Sequence, residues 1–457
     1  MSIPTPDQAL IGALEKYARP LGGDLQDYDE IIDAASDRHF VLIGEASHGT
    51  REFYRARAEI TERLISEKSF DAVIVEADWP DAYRINRYVT QMNGDESANE
   101  ALGDFERFPT WMWRNHEVEH FVHWLHDYNL RYISSNPDQA RRTRPVGFYG
   151  LDLYSMNTSI HAVIDYLDQI DPEEARKARL RYGCLYHFMD DPHSYGRAMD
   201  RGLAASCEDD IVAQLMKLRE KSISYLARNG VPNEEHYFSA LRNAELVKSA
   251  EEYYRALYRG RQNSWNLRDK HMFETLNSLS DYLEEQLGRR AKIVVWAHNS
   301  HVGNAAATEM GRLGEFNIGQ LAREHYGRDA LLVGFSTCYG TVTAANNWDE
   351  DPETQIVRPP IAGSYEELFH HVNHKKFLLN LREDGEVVDG LMTPRLQRAI
   401  GVIYRPQTER QSHYFDSCLP EQFDFMIHYD ETEAVEPLPT VMHRHKGELD
   451  ETYPSGI

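Results

Sequence analysis

Cysteine is scarce in this chain. Cys184, Cys207, Cys338 and Cys418 stand far apart, with no C-x-x-C spacing and none of the density that staples small secreted scaffolds. That pattern predicts reduced thiols and a cytoplasmic setting. No run of about 18 apolar residues occurs, so no membrane-spanning helix is expected. The opening MSIPTPDQALIGALEKYARP lacks a basic stretch followed by an apolar one, so no secretory signal is expected either. Positive charge is also in deficit, with 49 Lys and Arg against 74 Asp and Glu and a formal net charge of -25. Such a surface repels phosphate polymers and anionic headgroups, which argues against nucleic acid and membrane and leaves a small molecule as the expected partner. Neither an internal repeat nor a low-complexity tract is present, and no feature sets an oligomeric state.

What is present is a chain of 457 residues, long enough for two or three units of roughly 100 to 200 residues or one decorated domain. Five short apolar runs stand out: FVLIGEA (40–46), DAVIVEA (71–77), PVGFYGLDL (145–153), AKIVVWAHNS (291–300) and DALLVGFST (329–337). They do not alternate polar with apolar, as expected of strands buried on both faces of a parallel sheet. Two later runs, RAIGVIY (398–404) and FDFMIHY (423–429), are candidates to extend the sheet or form its edge. The fold class predicted is α/β, a three-layer α/β/α core with a mainly parallel sheet. Residues 155–290 are charged and helical in period, without a convincing strand, and read as a helical insertion or cap at the mouth of the sheet. The predicted organisation is 1–154 as the first part of the core, 155–290 as insertion, 291–435 as the second part and 436–457 as a polar tail.

Ligands of open parallel sheets bind beyond the carboxyl ends of the strands. Polar residues recur at that level: Glu45 and His48 after the first run, Glu76 and Asp78 after the second, Asp152 after the third, His298 and His301 after the fourth. Glu45 and Glu76 each follow apolar residues, so burial is expected, and a buried carboxylate needs a cationic partner or a raised pKa. A helical wheel over Arg51–Lys68 places Arg57 inside the apolar arc with Phe53, Ile60 and Leu64, a costly position unless it meets a carboxylate. His48, just before that helix, is suited to act as a base, because the positive helix end disfavours the imidazolium.

Three motifs compete with this set. His116-Glu117-Val118-Glu119-His120 has the zinc-protease form, but Val118, Phe121, Val122 and Leu125 make one apolar face and His116, His120 and His123 the opposite one. Gly44 to Gly49 resembles a nucleophile elbow with one residue too many before Ser47, and Gly334-Phe335-Ser336-Thr337-Cys338 lacks its closing glycine. Glu45, His48, Glu76, His298 and His301 also have the donor types of a divalent metal site. No cofactor is expected, but a metal-dependent hydrolase using that cluster stays open, as does a small-molecule or haem binder without chemistry.

The blocks GEASHGTREFYRARAEITERLI, FDAVIVEADWPDAYRINRYV, GLDLYS, RDKHM, VVWAHNSHVGN and RAIGVIYRPQTERQSHYF resemble the erythromycin esterase family over about residues 35 to 435. The resemblance implies an α/β core with an inserted helical region and a deep cleft. It also implies a hydrolase of carboxylic esters or lactones, without a serine nucleophile or a required metal. By that likeness the first essential acid falls on Glu45, the general base on His48, the arginine on Arg57, the second acid on Glu76 and the histidine pair on His298 and His301. Tyr83, Arg84, Arg268, His271, Arg398, Glu409 and His413 stand in the same blocks and, with Asp78 and Asp152, are candidates to line the cleft. Macrolide hydrolysis does not follow, because substrate choice is expected to reside in the insertion.

Overall fold

The computed structural model describes residues 6–135, 144–189, 191–226, 231–259, 261–383 and 385–439. Among them are eleven strands: β1 (Arg19–Pro20), β2 (Phe40–Ile43), β3 (Ala72–Asp78), β4 (Gly147–Asp152), β5 (Ile293–Trp296), β6 (Ala330–Ala344), β7 (Glu353–Val357), β8 (Lys376–Asn380), β9 (Arg395–Arg398), β10 (Tyr414–Ser417) and β11 (Phe425–Thr432). Nine form one sheet in the order β1-β8-β11-β6-β2-β5-β3-β4, with β7 paired to β6. The run from β11 to β4 is parallel throughout, while β1, β7 and β8 pair antiparallel. All five apolar runs singled out above are strands of the parallel part.

Alternation along each strand divides the sheet residues between two cores. Val41, Ile43, Val73, Val75, Val294 and Trp296 pack with Phe53, Tyr54, Ile60, Leu64, Val118, Phe121 and Leu125, from helices Arg51–Lys68 and His116–Ser135. Phe40, Leu42, Ile74, Ile293 and Val295 pack on the other face with Ile160, Val163, Leu246, Val247, Leu276 and Leu279. Both faces are therefore covered, which explains runs without polar alternation. Full burial of one such side chain contributes roughly 1.5–3 kcal/mol.

The six residues just named from positions 155–290 belong to helices Met156–Ile170, Val231–Ala256 and Arg261–Leu287, and no strand occurs between β4 and β5 among the described residues. These helices thus supply one of the two layers on the sheet, rather than standing only above its mouth. Cys184 and Cys207 meet there in a disulfide, which corrects the expectation of four separate thiols; Cys338 and Cys418 are free. Spacing of 23 residues carries no signal for a contact made by helix packing.

The run 398–404 is not a strand of the main sheet. Its start closes a small antiparallel pair, β9 with β10, and the rest crosses the mouth. There Ile400 N–H donates to the Ala46 carbonyl at 2.9 Å, and its own carbonyl accepts from His48 N–H at 3.3 Å. Run 423–429 does enter the sheet, as β11. Of the predicted tail, only 436–439 lie within the described residues; Pro437 bridges Asn115 there and Leu438 is buried. No described helix is long and apolar enough to cross a membrane.

Candidate active site

Chain order puts the site where the sheet's topology reverses. From β2 the chain moves outward to β3 and β4, then returns to place β5 between β2 and β3. The loops after β2, β3 and β5 therefore diverge around one crevice. A cleft opens there, lined among others by His48, Glu76, Asp78, Asp152, Arg268, His298 and His301.

Gly44 and Gly49 shape the turn after β2. A Cβ on Gly44 would collide with the Asn299 amide, which accepts from Phe335 N–H at 3.2 Å and donates to its carbonyl at 2.7 Å; one on Gly49 would strike the Thr343 carbonyl. This tight seating turns His48 toward the cleft. Ser47 is buried and hydrogen-bonds Thr50 Oγ1, away from any histidine, so no elbow nucleophile forms.

Behind His48 lies a buried ion pair. Glu45 Oε1 accepts from His48 Nδ1 at 2.8 Å, and Glu45 Oε2 faces Arg57 Nη2 at 2.8 Å. Glu45 is 1% exposed and Arg57 0%. The Arg57 guanidinium also lies 4.4 Å from the Tyr54 ring centre and 5.2 Å from that of Trp296. The apolar-arc arginine thus meets the carboxylate its burial requires. With Nδ1 committed to Glu45, Nε2 is the His48 nitrogen left for the cleft.

His298, whose ring centre is 4.8 Å from that of His48, has a different tautomer. Its Nδ1 accepts from Ser300 N–H at 3.2 Å and lies 2.8 Å from Ser300 Oγ, so the proton belongs on Nε2. That Nε2 is buried without a hydrogen-bond partner within ordinary reach among the described residues. Burial first, then the nearby His48, holds His298 well below its ordinary value, so the ring is neutral and a donor.

The other wall is a charged network. Glu76 Oε1 accepts from Arg268 Nη2 at 2.8 Å and faces His301 Nε2 at 3.3 Å, while Oε2 accepts the His298 backbone N–H at 2.8 Å. Arg268 also holds Asp152 with Nε at 3.0 Å and Nη2 at 2.6 Å. Burial opposes ionisation of Glu76, but His301, His48 and Arg268 outweigh it and keep its pKa well below the usual range. Across the cleft, Asp78 accepts from Tyr154 N–H and Ser155 Oγ, both at 2.6 Å, and burial followed by Asp152 raises its pKa. Burial, then Asp78, raises the Asp81 pKa well above its ordinary value.

His301 stacks on Trp265 at 4.6 Å, and its Nδ1 lies 3.0 Å from both Asp269 oxygens. Burial alone would lower its pKa, but Asp269 and then Glu76 raise it to about 9. The folded value exceeds the roughly 6.5 of an unfolded chain, so this contribution to stability is complete below about pH 6.5 and is lost as pH rises through 9. Glu76 and His301 form one coupled pair, so their effects are not summed. We expect wild-type unfolding free energy to fall by on the order of 3 kcal/mol across that window, and a His301→Gln variant to flatten the fall. Denaturant melts at pH 6, 7.5 and 9 check this; parallel slopes in the two proteins would refute it.

Of the sequence candidates, the cleft brings together His48, Glu76, His298, His301, Asp78, Asp152 and Arg268, with Glu45 and Arg57 behind them. Six others do not line it. Arg84 pairs with Asp95 and Asp104. Tyr83 packs on the core of the insertion side. His271 is buried beside Thr275 Oγ1, lowered to about 3 by burial and then Arg242. Arg398, Glu409 and His413 form a separate knot, where Arg398 Nε lies 3.2 Å from Glu409 and Arg405 N–H donates to His413 Nε2 at 3.0 Å. Block membership reports such structural contacts as readily as a ligand site. Asp269 and Trp265 escaped the sequence reading, although Trp265, Arg268, Asp269 and Met272 follow the i, i+3, i+4, i+7 spacing of one helix face. An Arg-Asp pair on a stripe with Trp and Met was the available signal. Asp81 and Gly401–Val402, which also line the cleft, carried none. The His116–His120 motif is on a helix whose Val118, Phe121, Val122 and Leu125 are buried, with His120 and His123 exposed.

Residues 65–432 match the family model described as Erythromycin esterase. The chain is 20% identical over 440 residues to the Bacillus subtilis (strain 168) protein named "Putative hydrolase YbfO", covering 91% of this chain and 89% of that protein. Among solved structures, a Bacillus cereus protein aligns with a TM-score of 0.75 at 20% identity, over 95% of this chain and all of that one. A histidine-to-asparagine mutant of the erythromycin esterase EreC in its open conformation aligns with a TM-score of 0.64 at 14% identity, over 91% and 97% of the two chains. The structural likenesses establish the shared fold.

Proposed function

Since the chain belongs to the erythromycin esterase family, and so to the hydrolases, we propose that it cleaves a carboxylic ester or lactone by attack of a water that His48 deprotonates. The observation that carries this reading is the Glu45–His48 pair at 2.8 Å, in which a buried carboxylate fixes the ring and leaves Nε2 for the cleft. A base must sit within hydrogen-bond reach of the proton it takes, and orientation by a carboxylate is the usual means of fixing its tautomer. His298 Nε2–H, a buried donor in need of an acceptor, suits the oxyanion that develops on the carbonyl. Asp81 can protonate the departing alkoxide, and Glu76 positions His298 through its backbone.

Divalent metal chemistry at this cluster is a poorer fit. Arg268 already places its guanidinium 2.8 Å from Glu76 Oε1 and 3.1 Å from His301 Nε2, and Arg57 pairs with Glu45. Cations of the protein thus stand where a metal's charge would be needed. One observation favours a covalent competitor, since Ser300 Oγ lies 2.8 Å from His298 Nδ1. Nothing comparable to Glu45 orients His298 from behind, so water attack is preferred. Rapid-mixing assays on p-nitrophenyl esters and on lactones of several ring sizes separate the two. Water attack predicts linear product release and no acyl adduct on the intact protein by mass spectrometry; a stoichiometric burst with an adduct on Ser300 would overturn it.

A further inference from the structure

We propose that Cys338, His370, His428 and Asp430 form a zinc site that ties the helix Tyr365–His370 to strands β6 and β11, apart from the cleft. The two strands run parallel, with His428 opposite Ser336, Tyr429 opposite Thr337 and Glu431 opposite Tyr339. Side chains two residues apart share a face, so Ser336, Cys338, His428 and Asp430 point to the same side of the sheet. The helix ends on that side and brings His370 to them. One donor atom each from Cys338, His370 and Asp430 lies within 4.8 Å of the others. His370 Nδ1 is 2.7 Å from Asp430 Oδ1, and His428 Nε2 is 3.7 Å from the same oxygen.

His428 provides the second, independent observation. It is 0% exposed, and its Nε2, facing Asp430 Oδ1 across 3.7 Å, has no hydrogen-bond partner within ordinary reach among the described residues. Its orientation is nevertheless fixed, because Nδ1 is bound to Ser336 Oγ at 2.8 Å and the rings of Phe369 and Phe377 pack against it. A buried imidazole locked through one nitrogen, with the other directed at a carboxylate, is how a metal-binding histidine is supported. Thiolate and imidazole donors with one carboxylate select a borderline ion that accepts tetrahedral geometry, which is Zn²⁺ rather than Mg²⁺ or Ca²⁺. Closing the set to donor separations of roughly 3.5 Å fits Zn–S and Zn–N bonds of about 2.3 and 2.1 Å. Lys375 Nζ, 3.3 Å from Asp430 Oδ2, engages the other carboxylate oxygen, so both histidines meet the carboxylate at Oδ1, where the ion would replace the His370 Nδ1 contact. His370, with 41% of its side chain exposed, gives the entry path.

The ion would also brace the mouth. Glu366, in the same helix, accepts from Arg398 N–H at 3.0 Å, and Arg398 Nη1 donates to the Cys338 carbonyl at 2.8 Å. Arg398 opens the segment that carries Gly401 and Val402 into the cleft.

The test uses the full chain with any affinity tag removed, stripped with a chelator, reloaded with Zn²⁺ and desalted before metal analysis. The expected result is one zinc retained per chain, falling at least tenfold in occupancy in His370→Ala and in Cys338→Ser. Co²⁺ in place of Zn²⁺ should give the wild type a thiolate-to-metal charge-transfer band in the near ultraviolet, absent from Cys338→Ser. Failure of the wild type to retain zinc, equal retention by the variants, or a Co²⁺ complex without the thiolate band would each overturn the proposal. The band is read on wild-type protein, so a variant that misfolds leaves the question decidable, and no readout depends on hydrolysis.

Discussion

Replacing His48 with Ala is expected to lower kcat by about 10²- to 10⁴-fold while leaving the fold intact. The loss should be large because the cleft offers no substitute base. His298 Nδ1 is occupied by Ser300, and the ring is held well below its usual value by burial and then by His48. His301, raised to about 9 against the opposing effect of burial, is an imidazolium at neutral pH with Asp269 at Nδ1 and Glu76 at Nε2. Glu76 is engaged by Arg268, and burial followed by Asp78 disfavours the ionised form of Asp81. The fold should survive, since His48 is held mainly through backbone contacts to Ile400 and the Tyr54 hydroxyl, which truncation at Cβ leaves in place. The measurement is steady-state hydrolysis of the best ester or lactone from the panel, with circular dichroism and a melt on the same sample. Free imidazole should restore part of the rate, because the truncation leaves a ring-sized space next to Glu45. Unchanged turnover in the Ala variant would remove His48 from the chemistry and turn attention to the Ser300–His298 pair.

This prediction could be framed from residue types alone, and the reason is physical. Strands buried on both faces must be apolar throughout, so β2 to β6 announced themselves, and a polar residue ending such a strand is conspicuous against it. Arg57 was legible for the same reason, as a cation on an apolar helix face. The antiparallel additions β1, β7 and β8 were not, because β1 is two exposed residues, β7 is largely exposed and polar, and β8 offers only three apolar residues in a row. Segment 398–404 misled because an apolar run packed across a mouth has the composition of a buried strand. The Cys184–Cys207 disulfide and the Asp269–His301 contact depend on how helices of the insertion lie against each other and against the strand ends. Spacing within one helix cannot specify that. Arg398, Glu409 and His413 show the converse, since one block placed them together but the contacts they make are with one another, with backbone and with the Tyr404 and Tyr414 side chains.

Arg57→Met should destabilise the protein by about 3–5 kcal/mol, the usual cost of leaving one member of a buried ion pair alone. Glu45 would be left at 1% exposure with the His48 ring but without its cationic partner. The Tyr54 and Trp296 faces that the guanidinium covers would also lose a cation. Arg57→Lys should recover only part of the loss, because an ammonium cannot span two rings and a carboxylate as a planar group does. The informative variant is the double, Glu45→Gln with Arg57→Met. Replacing both members of a buried pair by neutral groups of similar volume is commonly near neutral, so most of the lost stability should return. Activity should not return with it, because His48 would no longer have a carboxylate to fix its tautomer and stabilise the cation it becomes on taking a proton. Denaturant melts of the wild type, the two single variants and the double give the coupling free energy, and kcat measured on the same four proteins separates the two roles. A double variant as unstable as Arg57→Met would mean that packing, not charge, fixes Arg57. A double variant with wild-type turnover would mean that Glu45 serves the fold and has no part in orienting the base.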